Sequence, residues 1–406
     1  MNLAARTRPD FPVLGRRIDG LEICYLDSAA TSLTPRAVID EISRYYCDVS
    51  ANVHRGRHRL SEEASDRFEE VRVSAAQFFG CRADELAYVG NTSQGLNIVA
   101  AGLELSRDDL VLCPLDTHHS NLLPWRQAAR VEFIGLAGDG RIDLDHFQAL
   151  LRKRPRVVAL THCSNVTGVV APVRIMTKMA KDAGALVALD AAQSAPHRRL
   201  SLRELGIDFA ACSAHKMLGP TGIGLLFVAA ERMDLLRSLP LGGGTVDWVD
   251  TTGHDLRRAP HRFEPGTPNI GGVYGLGAAL EYLTVLGMAN VEAHDALMAR
   301  TLASQAAGRD GLRLLGADAP VTERSGIASL RIDGCPDLGD LAAILSDSYG
   351  VMCRSGHMCA QPVVDQLATG PVLRLSAYVY NDERDIARAF DAIDEIRQRL
   401  GASPAG

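Results

Sequence analysis

Lysine is scarce in this 406-residue chain, because only four of its 43 lysine and arginine residues are lysines. No apolar run approaches the roughly 20 residues that a membrane span needs, and no signal-peptide core opens the sequence. CxxC pairs are missing, and nine cysteines, an odd number, fit reduced thiols better than a disulfide framework. The net charge of −6 argues against a nucleic-acid partner. We therefore expect a cytoplasmic enzyme without nucleic-acid or membrane partners.

The position of one lysine is unusual. Lys153, Lys178 and Lys181 fall in segments with the pattern of polar helix faces. Lys216 instead stands in CSAHKMLGPTGIGLLF (212–227), directly after an apolar strand candidate. A lysine at a strand end, in a chain that otherwise uses arginine, indicates a chemical role for its amine.

Short apolar strands alternate with helix-length segments from about residue 20 to 240. The strand candidates are 86–90, 110–115, 131–136, 156–162, 185–190 and 208–213. This alternation predicts a mainly parallel sheet covered by helices on both faces. Residues 222–228 follow Lys216 so closely that we expect an antiparallel strand there. Residues 240–270 predict a long irregular segment of functional importance, and the later elements predict a small α/β unit.

Several polar residues follow predicted strands, where open parallel sheets bind their ligands. Asp190 ends the apolar run ALVALD, which is costly unless a cation meets the carboxylate. A helix N-cap or a salt bridge is the alternative for Asp190, and packing is the alternative for His118 and His119. NTSQG (91–95) opens a predicted helix whose N-terminus could bind phosphate or simply be capped. With Lys216, these residues suit pyridoxal phosphate, which needs a Schiff-base amine, an acid beside its pyridine nitrogen and a phosphate site.

Nine segments then match one family in order along the chain. They are YLDSAATS, ANVHRGRHRLS, HHSNLLPW, SNVTGVVAPV, LDAAQSAPH, SAHKMLGPTGIGLLF, FEPGTPNIGG, RSGHMCAQP and RLSAYVYN. The chain resembles class V aminotransferase-fold enzymes, specifically the group II cysteine desulfurases of the SUF sulfur-mobilisation pathway. Selenocysteine lyases share the fold and much of the pattern. The resemblance implies the α/β fold type I of pyridoxal-phosphate enzymes.

Three parts are predicted for this fold. An N-terminal arm over 1–20 packs with the small domain, and a large cofactor-binding domain with a mainly parallel seven-stranded sheet spans 21–285. A smaller C-terminal α/β domain spans 286–406.

The resemblance also implies roles for individual residues. Lys216 would bind the cofactor covalently and shuttle protons, His118 would stack on its ring, and Cys359 would be the sulfur-accepting nucleophile. The other implied cofactor contacts are Asp190, Gln193, Ser93, Ser213, His215 and, from the partner subunit, Thr267. The implied substrate-binding residues are Asn165, Arg374, Arg354 and His54.

Cys359 has a second interpretation. Arg354 and His357 flank it in RSGHMCAQP, and nearby positive charge increases the thiolate fraction of a cysteine. Cys353 and His357 are close enough in sequence for a metal site, but no fourth ligand stands at a usual spacing. We therefore favour the nucleophile and expect no metal.

The predicted function is removal of sulfur from L-cysteine, giving L-alanine and a persulfide on Cys359 for an acceptor protein, by a homodimer. L-selenocysteine is the alternative substrate, and a class V aminotransferase or epimerase is a second alternative. A non-catalytic scaffold is a third, which the joint presence of Lys216, Asp190 and Arg374 argues against. Met358, Ala214 and Gln94 depart from the family pattern and leave room for a specialised substrate or acceptor.

Overall fold

The computed structural model describes residues 3–335 and 337–401. The strands are β1 (Arg17–Ile18), β2 (Leu21–Glu22), β3 (Cys24–Tyr25), β4 (Leu86–Val89), β5 (Leu110–Pro114), β6 (Arg130–Ile134), β7 (Val157–Thr161), β8 (Leu186–Asp190), β9 (Phe209–Ser213), β10 (Gly224–Val228), β11 (Val246–Val249), β12 (His254–Leu256), β13 (Leu312–Leu314), β14 (Ile327–Ile332), β15 (Val351–Met352), β16 (Arg354–Gly356) and β17 (Val372–Ser376). The helices are α1 (Leu3–Thr7), α2 (Arg36–Arg44), α3 (Arg59–Phe79), α4 (Thr92–Gly102), α5 (Leu123–Ala128), α6 (Leu144–Leu151), α7 (Val173–Asp182), α8 (Ile270–Leu286), α9 (Met288–Ala307), α10 (Leu338–Tyr349), α11 (Gln361–Ala368) and α12 (Glu383–Gly401).

The large sheet has seven strands, as predicted, and their order is β4-β10-β9-β8-β7-β5-β6. Strands β5 to β9 pair in parallel, and β10 is antiparallel to both of its neighbours, which confirms the expectation for the segment after Lys216. Every residue of β7, β8 and β9 is buried, because helices cover both faces of the sheet. Continuous apolar runs are typical of strands that are buried on both faces. The register places Thr161 beside Asp190. The carboxyl ends of these central strands therefore meet at one edge of the sheet.

A second sheet, β13-β14-β17-β16, is antiparallel throughout. Its core includes Cys24 and Leu26 from the start of the chain, and β3 pairs in parallel with β15. The N-terminal residues also reach the C-terminal part, since Thr7 Oγ1 donates to the carbonyl of Val379 at 2.8 Å. The three predicted domain ranges stay a prediction, and residues 1, 2, 336 and 402–406 lie outside the described residues.

Two sequence expectations need correction. The segment 240–270 is not irregular throughout, because β11 and β12 form an antiparallel hairpin within it. Its exposed residues Trp248 and Val249 alternate poorly with polar ones, so the sequence pattern did not indicate strands. Lys178 and Lys181 lie on α7 as predicted, whereas Lys153 follows the end of α6 and pairs with Glu132.

No single helix among the described residues is long and apolar enough to cross a membrane. Helices α8 and α9 together reach that length and composition, but they are bent by 79° at the break between them. All nine cysteines are described, and each has a free thiol.

A buried ion pair holds the segment before α8 against the large sheet. Arg72 on α3 lies 2.6 Å from Glu264, and the side chains are 2% and 7% exposed. Glu264 also accepts a hydrogen bond from the backbone N–H of Tyr88 on β4 at 2.7 Å. Burial alone would raise the pKa of Glu264, but Arg72 and the hydrogen bonds outweigh it and lower the pKa to about 2.

We expect Glu264→Gln to lower the free energy of unfolding by about 2 kcal/mol at pH 7, because the buried Arg72 then keeps only the partly exposed Glu69 as a counter-charge. The depressed pKa means that this stabilisation is present above pH 4.5, the usual pKa of the carboxyl, and is lost as the pH falls towards 2. Urea unfolding of both proteins should therefore show a smaller difference at pH 3 than at pH 7. Glu104→Gln removes an exposed partner of Arg237 and should cost less than about 0.5 kcal/mol. A loss below about 1 kcal/mol for Glu264→Gln at pH 7 would contradict this account of the pair.

Candidate active site

A cavity of about 460 Å³ opens at the carboxyl ends of the central strands. Of the thirteen site residues predicted from the sequence, the eleven that line it are Ser93, His118, Asn165, Asp190, Gln193, Ser213, His215, Lys216, Arg354, Cys359 and Arg374. Cavities of about 790 and 560 Å³ lie elsewhere on the described surface, but they do not collect such a set. The chemical groups therefore meet in this cavity, although they come from the full length of the chain.

The floor of the cavity carries a buried acid and a lysine. Asp190 is the last residue of β8, and it accepts a hydrogen bond from the backbone N–H of Ala192 at 2.9 Å. Lys216 lies in a short 3₁₀ helix, Ala214–Lys216, that directly follows β9. The adjacent strands thus deliver the two side chains to one place, as the sequence pattern indicated.

The pKa values of both groups move towards the neutral forms. Burial lowers the pKa of Lys216 from 10.5 to about 8, and the nearby Asp190 carboxylate only partly opposes this. Burial likewise raises the pKa of Asp190, against the Ala192 hydrogen bond and the Lys216 charge. No described residue accepts a hydrogen bond from Lys216 Nζ, so the amine is available to react.

A neutral imidazole forms one wall. His118 follows β5 and accepts a hydrogen bond at Nδ1 from the backbone N–H of Ser120, at 3.1 Å. Burial lowers the pKa of His118 to about 4, and Lys216 adds to the shift. His215 has its pKa lowered to about 4 for the same two reasons. Both rings are therefore uncharged at pH 7, and His118 carries its proton on Nε2.

Hydroxyl groups gather around the N-terminus of α4. Ser213 Oγ accepts from the backbone N–H of Thr92 at 2.8 Å, and the two hydroxyls lie 2.7 Å apart. Ser93 and Ser120 place their hydroxyls 2.6 Å apart. A Cβ on Gly95 would come within 2.9 Å of Ala211 Cβ, so glycine allows α4 to approach β9 this closely. A helix N-terminus surrounded by hydroxyls is suited to binding a phosphate group.

The opposite end of the cavity carries two arginines. Arg374 on β17 is 3% exposed and donates to the carbonyl of Asn165 at 3.1 Å and to Asp27 at 3.0 Å. Arg354 on β16 donates to the other oxygen of Asp27 through Nε and Nη2, at 3.2 and 3.1 Å. Nε of Arg374 is buried and has no hydrogen-bond partner among the described residues. This guanidinium can therefore still receive a carboxylate.

Cys359 lies at the mouth, in the loop between β16 and α11, and is exposed. Met358 and Cys359 both have a left-handed backbone, with φ of 53° and 54°. Two hydrogen bonds hold this conformation: Asn165 Nδ2 donates to the Met358 carbonyl at 2.7 Å, and the backbone N–H of His119 donates to the Cys359 carbonyl at 2.8 Å. The loop is thus fastened to two walls of the cavity.

The metal interpretation of this loop gains no support from the geometry. Among the described residues, Cys353, His357 and Cys359 are not brought together as a ligand set. Cys353 is half-buried, and the loss of water around its thiol raises the pKa of the thiol to about 12.

Two predicted residues lie outside the cavity of their own chain. The ring of His54 packs 5.4 Å from Phe68 and 5.2 Å from His261, and Thr267 is exposed in the segment before α8.

Asp27 was missed as a site residue. It follows the apolar residues Cys24–Leu26, so the argument that drew attention to Asp190 applies to it equally.

Comparisons with known proteins agree with this geometry. Residues 24–389 match the family described as Aminotransferase class-V. A probable cysteine desulfurase 2 of Mycobacterium leprae is 40% identical over 405 residues, covering 95% of this chain and 96% of the relative. The apo structure of a cysteine desulfurase from Thermococcus onnurineus NA1 is 35% identical, with a TM-score of 0.92 over 98% of this chain and 99% of that one. A more distant structure, 19% identical with a TM-score of 0.80 over 97% and 99%, shares the fold and has glycine linked to its pyridoxal-phosphate cofactor.

Pyridoxal phosphate is the cofactor of this family, and the cavity fits it. Gln193 donates through Nε2 to the carbonyl of Ala29 at 2.7 Å, while its buried Oε1 lacks a partner among the described residues. The buried Asp190 carboxylate could pair with the ring nitrogen, and the hydroxyls at the start of α4 could hold the phosphate. Fold, matched length and cavity lead to one conclusion: the chain belongs to the class V aminotransferase family of pyridoxal-phosphate enzymes, among relatives that are cysteine desulfurases.

Proposed function

We propose that this chain is a cysteine desulfurase, which converts L-cysteine to L-alanine and leaves the sulfur as a persulfide on Cys359. One observation carries the proposal: an exposed thiol stands at the mouth of a cavity that also holds Lys216 and Arg374. An aminotransferase or an epimerase would need the lysine and the arginine but has no use for the thiol. Relatives that are named cysteine desulfurases, at 34–40% identity, support the same activity.

The groups around Lys216 would hold the cofactor. Ser93, Ser213 and His215 would bind its phosphate, and Asp190 would pair with the ring nitrogen. Gln193 would accept a hydrogen bond at the ring through its free Oε1, and the neutral His118 would stack on the ring. When bound, pyridoxal phosphate withdraws electrons from the α-carbon of the amino acid.

Lys216 would then carry the proton that leaves and returns at the substrate. An amine with a pKa of about 8 can accept a proton near neutral pH and give it back, whereas an ordinary lysine would stay protonated. Its pKa is thus matched to proton transfer in both directions.

The substrate would be held by its carboxylate. The planar guanidinium of Arg374 suits bidentate binding, with Arg354 and the Asn165 amide alongside. The thiolate of Cys359 would attack the substrate sulfur, so that an S–S bond forms as the C–S bond breaks, and the three-carbon product takes up a proton to become alanine. Asn165 also fastens the Cys359 loop, so it would link carboxylate binding to the position of the nucleophile.

We further propose a homodimer, in which Thr267 and His54 of one subunit serve the cavity of the other. Both lie outside their own cavity, and the nearby hairpin exposes Trp248 and Val249, at 64% and 58%. A two-fold dimer would cover this apolar surface in both copies. The same proposal places the chain in the SUF-type subgroup and in the cytoplasm. It also includes an acceptor protein that collects sulfur from the exposed loop.

Replacement of the thiol tests the proposed function. Cys359→Ser should bind the cofactor normally but lower kcat/KM for alanine formation from L-cysteine at least about a hundredfold, because no nucleophile remains to accept the sulfur. Alanine and sulfide are measured for each protein. Cys47→Ser changes an exposed cysteine away from the cavity and should retain wild-type rates.

The same assay separates the alternatives. Alanine formed from L-cysteine at the wild-type rate by Cys359→Ser would overturn the proposal and favour a selenocysteine lyase, to be checked with L-selenocysteine. A keto acid or D-cysteine as the main product would favour an aminotransferase or an epimerase.

The lowered pKa of Lys216 predicts how the apoenzyme takes up its cofactor. An aldehyde reacts with the neutral amine, which becomes the main form above pH 8. The rate of covalent uptake of pyridoxal phosphate should therefore rise up to about pH 8 and level off by pH 9, as followed by visible absorbance. Rates with N-acetyl-lysine at each pH correct for ionisation of the cofactor itself. A corrected rate that still climbs through pH 10 would show an ordinary lysine.

A further inference from the structure

Two histidines and a glutamate come together beside α3, outside the cavity. The ligand atoms of His54, Glu69 and His261 all lie within 4.8 Å of one another. They come from three separate segments, because His54 precedes α3, Glu69 lies on it, and His261 belongs to a short 3₁₀ helix before α8. Two imidazoles and one carboxylate are a ligand set that divalent transition metals bind, with zinc as the common case.

The ring of His54 is held against its own chain. Its backbone is left-handed, with φ of 73°, and its N–H donates to Ser65 Oγ at 2.8 Å. The ring packs 5.4 Å from Phe68 and 5.2 Å from His261, measured between ring centroids. Burial lowers the pKa of His54, and the neighbouring His261 adds to the shift. The imidazole is therefore neutral at pH 7, which is the form that binds a metal.

Glu69 keeps free lone pairs although it is paired. Its Oε2 and Oε1 accept hydrogen bonds from Arg72, at 2.8 and 3.1 Å. A carboxylate has about four lone-pair positions, so a metal can bind Glu69 without displacing Arg72. The side chain is 40% exposed, which leaves an approach for the ion.

A second carboxylate stands behind His261. Glu264 Oε2 lies 3.5 Å from Nδ1 of this ring. Carboxylates in this position orient a ligand imidazole and leave Nε2 for the metal. His261 is thus placed as metal-binding histidines usually are.

The charges around the cluster favour a cation. Arg72 is shared by Glu69 and Glu264, so one guanidinium stands against two carboxylates and one negative charge is left over. Arg257, the other cation that acts on this cluster, is offset by Asp247 at 3.7 Å. A divalent ion beside the imidazoles would therefore meet attraction from its surroundings.

We propose that His54, Glu69 and His261 form a binding site for a divalent transition-metal ion of the zinc class, with water in the remaining coordination position. All three ligands belong to one chain, so the site goes beyond the proposed desulfurase function and does not depend on it. A bound ion would keep the His54 ring on its own chain. It would thereby compete with the role that we propose for His54 in the neighbouring cavity.

Calorimetric titration of the holoenzyme with Zn²⁺ tests the site. His261→Gln removes a ligand and should weaken zinc binding at least about tenfold, since the loss of an outer partner alone costs that much. His54→Gln should have the same effect, and its exposed position keeps the test valid if His261→Gln fails to fold. His146→Gln changes a histidine on α6, outside the cluster, and should bind zinc as the wild type does.

Thiols also bind zinc, so the titration is repeated with Cys359→Ser. The tight binding should persist in this variant, because the proposed site contains no sulfur. X-ray absorption of its zinc complex should then show only nitrogen and oxygen ligands, at about 2.0–2.2 Å.

Three results would overturn the inference: no zinc binding by the wild type, unchanged binding in both His261→Gln and His54→Gln, or loss of binding in Cys359→Ser. Because the readout is metal binding, it is separate from desulfuration. A wild type that makes no alanine from cysteine, yet binds zinc through the histidines, would refute the proposed function alone.

Discussion

Asp190 and Lys216 bring an acid and an amine to the ends of adjacent strands, where Asp190 is buried and Lys216 is half-buried. Burial disfavours the charged form of each group, because it raises the pKa of the acid and lowers the pKa of the amine. The sheet imposes this arrangement, because its strands β5 to β9 are parallel and their carboxyl ends lie at the same edge. The shifted pKa values of Asp190 and Lys216 therefore follow from the positions that the fold gives these two residues.

A second charged group lies at the other end of the cavity, where one carboxylate pairs with two guanidinium groups. Arg354 and Arg374 lie on β16 and β17 and Asp27 follows β3, whereas Asp190 ends β8 of the large sheet and Lys216 follows its strand β9. The loop that carries Cys359 begins after β16, close to Arg354. Asn165 and the backbone of His119 hold it by hydrogen bonds. Substrate carboxylate, reacting carbon and sulfur would therefore have separate neighbours within one cavity of about 460 Å³.

Local signals account for what the sequence could predict. Short apolar runs that end in a polar residue marked β8 and β9, and with them Asp190 and the position of Lys216. Asp27 was missed because its partners lie more than 300 residues away, so the need for a charge between Arg354 and Arg374 emerges only from strand register. The hairpin in 240–270 lacked the alternation that identifies strands. The proposed roles of Thr267 and His54 depend on a second copy of the chain.

The attachment of the cofactor tests the central claim most directly. Borohydride reduction of the holoenzyme fixes the cofactor to the amine that holds it, and peptide mapping by mass spectrometry then locates the added mass. Since the chain has four lysines, the other three serve as internal controls. The account predicts the label on Lys216 alone. A label on Lys153, Lys178 or Lys181 would contradict it, because none of these lines the cavity where the strands converge.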